Sequence, residues 1–326
     1  MTTKEEILSC LRKSGGYVSG EDLSDHLNVS RTAVWKNINT LRNSGYGIES
    51  ITNRGYKLIS CPDIMLPEEI ESGLKTTILA KKIYCYDSID STNQEAKRQA
   101  LGGAPNGSLF IAEQQNSGKG RLGRTWASPS GTGLWFSVLL RSNLIPIPVT
   151  SVTLLAGLAV CRTIRTCTGC PAMIKWPNDI VIGSKKVCGI LTEMAAEIDR
   201  IDYVVVGIGI NVNNASFAAE LKVKATSLQL ETGTAIFRVG LLQEILRSFE
   251  SLLESHKTDP SVLLEEYKHL CVSLTRRVGF TRNKEALEGT AVDISSEGEL
   301  IVQCDDGTLI PVSSGEVTVQ GIYGQS

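Results

Sequence analysis

The sequence predicts an α+β multidomain protein: an N-terminal winged helix-turn-helix (residues 1–62), a central mixed-sheet domain (63–271) and a small C-terminal β-barrel (272–326). Three observations predict it. Three short helical patterns and a hairpin signal fill the first sixty residues, and strand-like runs alternate with helical ones from about Lys82 to Val212. After Val272 only short alternating strands remain. A chain of 326 residues exceeds the roughly 150 of a single domain, and 42% apolar side chains supply proper cores, which excludes intrinsic disorder. A net charge of -2 excludes a globally basic nucleic-acid coat. No apolar run reaches the ~20 residues of a membrane span and the N-terminus has no signal-peptide core, so the expectation is a cytoplasmic protein with no membrane partner. The nine cysteines, an odd number in that setting, are expected as reduced thiols. Only Cys167-Thr-Gly-Cys170 has metal-ligand spacing, and without a second pair no zinc is expected.

In chain order, Thr3-x-x-Glu6 and Ser19-x-x-Asp22 resemble capping boxes, each opening a segment with apolar residues at helical spacing (Ile7, Leu8, Leu11; Leu23, Leu27). A third helix begins after Ser30, carries Val34, Ile38 and Leu41 on one face, and stops at Asn43-Ser-Gly45. Ile48 to Thr52 and Tyr56 to Ile59 flank Asn53-Arg-Gly55 as a hairpin. Between Asn28 and Leu58, Arg31, Lys36, Arg42, Arg54 and Lys57 face Glu49 alone, a local +4. That charge sits on the third helix and the hairpin, the parts such a domain offers to a DNA major groove and the adjacent phosphates. DNA contacts are expected from Ser30, Arg31, Thr32, Trp35, Lys36 and Arg54, within a helix-turn-helix at about 20–39. The competing reading is a solvated basic face on a protein-interaction domain.

Cys61-Pro62 and Leu66-Pro67 mark a linker. Strands are expected at Ile83 to Tyr86, Leu109 to Glu113, Leu134 to Leu140, Met173 to Trp176, Val187 to Met194 and Tyr203 to Asn211, with a helix capped near Ser91 and a long apolar helix from about Thr150 to Arg165. Consecutive strands late in this series predict a mixed sheet with helices on one side. Helices follow at Val239 to Leu253 and Ser261 to Leu270.

Three stretches carry chemistry. From Gln114 to Arg141 there are four basic residues, no acid, and five glycines between 118 and 133. Glycines let backbone N–H groups converge on phosphate oxygens, and Lys119, Arg121 and Arg124 add full charges. The spacing is neither a Walker loop nor a Rossmann fingerprint, and taken alone it fits a mobile surface loop equally well. The second stretch runs from Lys175-Trp-Pro-Asn178-Asp179 to Lys186-x-x-Gly189. It places an acid able to hold Mg²⁺ near a lysine able to meet a carboxylate or phosphate. In the third, Gly207-Ile-Gly-Ile-Asn211, glycines interrupt an apolar strand, which indicates either a flat ligand against the backbone or a bulge. Upstream, Asp90-Ser91-Thr92-Asn93 opens a helix, its hydroxyls serving as caps or as ligand contacts.

Together these segments closely resemble the biotin protein ligases. The stretch from Ser19-Gly-Glu-Asp-Leu through Val29-Ser-Arg-Thr-Ala-Val-Trp-Lys resembles the DNA-binding domain of the bifunctional members, the biotin operon repressors. Asp90-Ser-Thr-Asn, Gly118-Lys-Gly-Arg-x-x-Arg, Lys175-Trp-Pro-Asn-Asp, Lys186-x-x-Gly189-Ile and Gly207-x-Gly-x-Asn211 occur in the family's order and spacing. The resemblance implies a class II synthetase-like ligase domain and an SH3-like barrel. It implies a two-step reaction in which biotin and MgATP form biotinyl-5′-AMP and a lysine of a carrier protein then takes the biotinyl group. Lys186 would bridge the biotin carboxylate and the α-phosphate, with Lys119 and Arg121 as further catalytic cations.

Biotin would meet Ser91, Thr92, Asn93, Gln115, Lys119, Gly120, Arg121, Lys186 and the Gly189 and Gly207 backbones, covered by Trp126. ATP would meet Arg121, Arg124, Lys175, Asn178, Lys186 and Asn211, with Mg²⁺ near Asp179. Many members have arginine at Lys119, so this chain keeps the charge without the planar two-donor fork. The implied partners are a biotin carrier protein (acetyl-CoA carboxylase carrier subunit or pyruvate carboxylase), operator DNA, and a second copy in a homodimer promoted by biotinyl-5′-AMP. Competing readings are a ligase without repression, a lipoate-type ligase, and a non-enzymatic ligand sensor.

Overall fold

The computed structural model describes residues 2–141, 145, 148–197, 200–282, 285–313 and 317–324. The chain divides into two compact units, Met1–Ile64 and Met65–Ser326. The first holds helices α1 (Thr3–Ser14), α2 (Gly20–Leu27) and α3 (Arg31–Asn43) and the antiparallel strands β1 (Gly47–Ile51) and β2 (Gly55–Ser60). Each helix start is set by a side-chain cap. Thr2 and Glu5 form a reciprocal capping box, one residue before the expected Thr3–Glu6 pair. Ser19 accepts from the Asp22 N–H at 2.9 Å, and Ser30 from the Ala33 N–H at 3.1 Å. Helices this short are not stable alone. They are held by a private core in which Ile7, Leu8, Leu11, Leu23, Val34, Ile38 and Leu41 meet Tyr46 and Ile48. This is the predicted winged helix-turn-helix.

The second unit begins with α4 (Pro67–Gly73), β3 (Ile83–Ile89), α5 (Thr92–Leu101), β4 (Leu109–Gln115) and β5 (Gly133–Arg141). It continues through α6 (Thr150–Thr168), β6 (Ala172–Lys175), β7 (Asp179–Ile182), β8 (Lys185–Glu197) and β9 (Arg200–Asn211). The short α7 (Leu228–Thr232) and the longer α8 (Arg238–His256) and α9 (Pro260–Leu270) follow. Seven strands form one sheet in the order β3-β4-β5-β9-β8-β7-β6. Only β3 and β4 pair in parallel, so the sheet is mixed as expected. The alternation of the sequence does not separate β7, four buried residues between β6 and β8.

Helices lie on both faces of the sheet, not on one. Strand residues alternate between faces. Val204 and Val206 of β9 belong to the large core with α6 and α8, whereas Tyr203 and Val205 join a smaller core with Phe110, Leu139, and Ala96 and Ala100 of α5. Small alanines let α5 lie close to the second face, a placement that its weak apolar pattern does not advertise.

The expected C-terminal barrel is an antiparallel sheet of β10 (Arg277–Arg282), β11 (Glu285–Ile294), β12 (Leu300–Gln303), β13 (Leu309–Val312) and β14 (Val317–Val319), in the order β13-β12-β11-β10-β14. Among the described residues no ladder joins β13 to β14. Val278, Phe280, Ala291, Leu300 and Val302 join the large core of the central sheet, so the two sheets form one unit. Two hydrogen bonds reinforce the junction: Trp176 Nε1–H donates to Gly298 O at 3.0 Å, and Lys175 Nζ to Val317 O at 2.9 Å.

Candidate active site

A cavity of about 950 Å³ opens on the α5 face of the central sheet. Its floor is bare backbone for a steric reason. A Cβ on Gly207 would lie 2.1 Å from Asn93 Oδ1, one on Gly209 2.5 Å from Trp126 Nε1, and one on Gly189 3.0 Å from both the Lys186 stem and the Trp126 ring. Trp126 lies over these strands and meets Trp135 edge-on at 6.4 Å. The strand glycines therefore mark a close approach of side chains to backbone. The ladder runs through them in register, Gly189 opposite Gly209 and Leu191 opposite Gly207, which removes the bulge alternative.

At one end of the cavity the start of α5 is tied into a polar network. The Thr92 N–H and hydroxyl donate to Gln115 Oε1 at 2.9 and 3.1 Å, while Gln115 Nε2 donates to Ser128 at 2.8 Å. Ser137 Oγ lies 2.7 Å from Thr92 Oγ1 and 2.6 Å from Asn93 Oδ1. Asn93 Nδ2 donates to Leu191 O and to Glu193 Oε2, at 3.2 and 2.8 Å. Burial would raise the Glu193 carboxyl, but hydrogen bonds from Lys97 and Asn93 and the charge of Lys119 hold it below the usual range. Ser91 is 3% exposed and is the N-cap of α5 by backbone geometry only, since its hydroxyl makes no capping bond.

Six cations complete the lining. Lys119, Arg121, Arg124, Lys175, Lys186 and Lys224 line the cavity, and Asp179 is the one carboxylate with them among the described residues. Lys186 Nζ lies 2.5 Å from Asp179 Oδ1 and 5.2 Å from the centre of the Trp126 ring. Arg121 donates to Asn178 Oδ1 at 2.8 Å, and Asn178 Nδ2 to Ile190 O at 2.9 Å. Asn211 Nδ2 is anchored to Thr226 O at 3.1 Å. The glycine-rich segment is folded back on itself: the Trp126 N–H donates to Gly118 O at 2.8 Å and the Gly120 N–H to Arg124 O at 2.7 Å. Among the described residues, three buried polar atoms of the lining have no hydrogen-bond partner: the donor Trp126 Nε1–H, the acceptor Asn214 Oδ1, and Asp179 Oδ1, which meets Lys186 as an ion pair only. Unpaired buried groups are costly, so they suit atoms that a ligand completes.

Asp179, the expected Mg²⁺ ligand, is the one carboxylate of the lining among the described residues, so phosphates would have to complete any Mg²⁺ site there. Among the described residues no three His, Cys, Asp or Glu side chains group around a metal position. Asp179 Oδ2 accepts from the Tyr323 hydroxyl at 2.7 Å, while Oδ1 faces Lys186 Nζ as an ion pair without hydrogen-bond geometry. Its observed role is counter-ion to Lys186. The cysteines are all unpaired thiols; burial pushes Cys161 up to about 12, and Cys188 is raised for the same reason.

A model of the biotin/lipoate A/B protein ligase family matches residues 85–211, an HTH domain model matches 3–57, and a biotin protein ligase C terminal domain model matches 274–319. The bifunctional ligase/repressor BirA of Bacillus spizizenii is 40% identical over 314 residues, 94% of this chain and 95% of that one. The chain belongs to the bifunctional biotin protein ligases. BirA of Escherichia coli is 28% identical over 96% of each chain. The biotin protein ligase from Aquifex aeolicus, solved in complex with biotin and ATP, superposes with a TM-score of 0.65 at 29% identity, over 74% of this chain and 99% of that one.

Within this ligase, all sixteen residues that the sequence assigns to biotin, ATP or metal line the one cavity: Ser91, Thr92, Asn93, Gln115, Lys119, Gly120, Arg121, Arg124, Trp126, Lys175, Asn178, Asp179, Lys186, Gly189, Gly207 and Asn211. The sequence reading misses Asn214, Phe217, Lys224, Val317 and Tyr323. Phe217 and Lys224 lie in a stretch without periodicity, and Tyr323 follows the last strand, where no motif signals it.

In the helix-turn-helix unit α3 turns Val34, Ile38 and Leu41 inward and leaves Arg31, Thr32, Lys36 and Trp35 outward, Trp35 57% exposed. Ser30 is spent on capping α3. Arg54 stacks over Tyr17 at 5.1 Å. Arg42, counted in the basic surface from sequence, instead donates to Ile48 O at 2.8 and 3.0 Å and ties β1 to α3.

Proposed function

We propose that this ligase condenses biotin with ATP in the cavity on the α5 face, releasing pyrophosphate, and then transfers the biotinyl group to a lysine of a biotin carrier protein. The carrier is an acetyl-CoA carboxylase carrier subunit or pyruvate carboxylase, and the reaction runs in the cytoplasm. The observation that carries this reading is the composition of one cavity: hydroxyl and amide groups at the start of α5, six cations against one carboxylate, and a floor of glycine backbone.

Each part has a chemical task. Ser91, Thr92 and Gln115 present donors and acceptors for the ureido ring, while the Gly189 and Gly207 backbones and Trp126 give the apolar chain a dry wall. A carboxylate attacking an anionic α-phosphate needs cations on both reactants, and more in the transition state. Lys186 meets both at the reacting centre, while Arg121, Lys119 and Arg124 neutralise the phosphates. Lys175, Asn178 and Asn211 hold the nucleotide, and Mg²⁺ arrives as part of MgATP. The carboxylate oxygen bonds to the α-phosphorus as pyrophosphate leaves. In the second step the carrier amine bonds to the acyl carbon as AMP leaves. Because the mixed anhydride hydrolyses in water, the glycine-rich segment serves as its cover.

Pyrophosphate release measured with biotin, lipoate and octanoate tests the reading. Release with biotin alone is expected. Preference for lipoate or octanoate reassigns the substrate, and no release with any acid leaves a ligand sensor. For repression, we propose that biotinyl-5′-AMP promotes homodimerisation and binding to a two-fold operator through Arg31, Thr32, Trp35, Lys36 and Arg54. Gel shifts on the biotin-gene promoters with and without biotin and ATP test it. Equal affinity for promoter and random DNA at physiological salt rejects it.

A further inference from the structure

We propose that Tyr323, in the segment after β14, is a positioning residue for adenylation, acting through Asp179 on Lys186. The inference rests on the reading of Lys186 as the cation between biotin carboxylate and α-phosphate. Tyr323 lines the cavity, and its hydroxyl donates to Asp179 Oδ2 at 2.7 Å while Lys186 Nζ lies 2.5 Å from Oδ1 of the same carboxylate. One oxygen is thus taken by a neutral donor and the other is left for the ammonium. A carboxylate free to rotate would pull Lys186 along different directions; one clamped on Oδ2 holds it along a single direction, toward Trp126 and the Gly189 backbone.

Tyr323 is itself fixed from three sides. Its N–H donates to Ser184 O at 2.9 Å, in the turn between β7 and β8 that carries Asp179 and Lys186. Lys175 Nζ stands 5.3 Å from its ring centre while donating to Val317 O at the start of β14. Ile322, the preceding residue, is buried in the large core. The Tyr323 hydroxyl is held protonated well above its usual range, by burial first and by the adjacent Asp179 carboxylate second, so it remains a donor throughout the working pH range. The C-terminal sheet thereby reaches the reacting centre through one hydrogen bond, which gives that sheet a task in the first half-reaction.

The test is steady-state pyrophosphate release by the full chain carrying Tyr323→Phe, which keeps the ring and its packing and removes only the hydroxyl. Losing a hydrogen bond to a charged group predicts a fall in kcat of about 10-fold. KM for biotin and for ATP is expected within about two-fold of the wild type, because the hydroxyl lost is bonded to Asp179 and not to either substrate. The thermal midpoint should fall by no more than about 4 °C. In an Asp179→Asn background, adding Tyr323→Phe should cost less than a further two-fold or so, since both changes break one chain of contacts. A wild-type kcat in Tyr323→Phe, a loss confined to KM, or a full additional loss on top of Asp179→Asn each overturns the inference. Absence of biotin-dependent pyrophosphate release from the wild type would instead reject the proposed function.

Discussion

Two regions of this ligase carry the same local charge in sequence and use it in opposite ways. The stretch from Asn28 to Leu58 and the stretch from Gln114 to Arg141 are each +4. In the first, Arg31, Lys36 and Arg54 stand in solvent: Arg31 and its neighbour Glu21 are 69% and 67% exposed, 3.4 Å apart, a pairing worth little in water. In the second, Lys119 and Arg124 are exposed too, but Arg121 is half-buried and aimed by a hydrogen bond to Asn178, and the loop borders a cavity where Lys186 of β8 is 26% and Asp179 11% exposed. An exposed cation meets phosphate as one of many weak, screened contacts. A half-buried cation with a fixed direction acts at one atom, and its effect rises as water is excluded. Charge counted from sequence is therefore ambiguous until burial is known.

The largest effect that tests this contrast is at Lys186. Lys186→Ala is expected to lower the rate of adenylation by about 100- to 1,000-fold, the range for removing a group that stabilises charge in the transition state. The circular dichroism spectrum and the operator affinity of protein loaded with synthetic biotinyl-adenylate should be retained. Near-normal pyrophosphate release in this variant would mean that a half-buried, directed cation at this cavity does no more than an exposed one. Gly207→Ala comes next. Its Cβ would sit 2.1 Å from Asn93 Oδ1, so Asn93 must leave the Ser137–Glu193 network. The expected cost is about 1–3 kcal/mol of stability, with a loss of biotin affinity of roughly 10-fold, by denaturant titration and calorimetry.

Salt separates the regions more finely. Operator binding should fall with a log–log slope of about -0.9 for each phosphate contacted, whereas kcat at saturating substrates should vary by no more than about two-fold over 50 to 200 mM KCl. Equal sensitivity of both activities would contradict the difference in burial.

Much of this was legible in the sequence, for physical reasons that also explain the remainder. Periodicity locates the helices of both units because their apolar faces are continuous, as in Val34, Ile38 and Leu41. Glycines inside an apolar strand pointed to Gly207 because a strand interior tolerates glycine poorly unless something lies against it. Local pattern is silent on distance across the fold. A carboxylate beside a phosphate-binding lysine has two uses, metal ligand and counter-ion, and the contacts of Asp179 with Lys186 and Tyr323 show the second, which no spacing reveals. Tyr323 is 144 positions away and no spacing rule connects them. α5 was assigned to the wrong face because Ala96 and Ala100 bury little apolar surface, although they fit closely against Phe110 and Val205.

The smallest expected effect lies in the wing, where two arginines of equal charge should part company. Arg54 stacks over Tyr17 at 5.1 Å and is exposed, so its guanidinium is available to a phosphate. Arg54→Ala should weaken binding to all DNA sequences by a few-fold and reduce the salt slope by about 0.9, leaving adenylation and stability alone. Arg42 donates to Ile48 O and to Ser50, which fastens β1 against the end of α3. Arg42→Ala should therefore lower the thermal midpoint of the N-terminal unit and weaken specific binding more than non-specific binding, because the wing loses its position and not a phosphate contact. The two variants share a net charge. If they changed the salt slope equally, the wing would be reading charge alone, and the hydrogen bonds of Arg42 would have no bearing on how DNA is held.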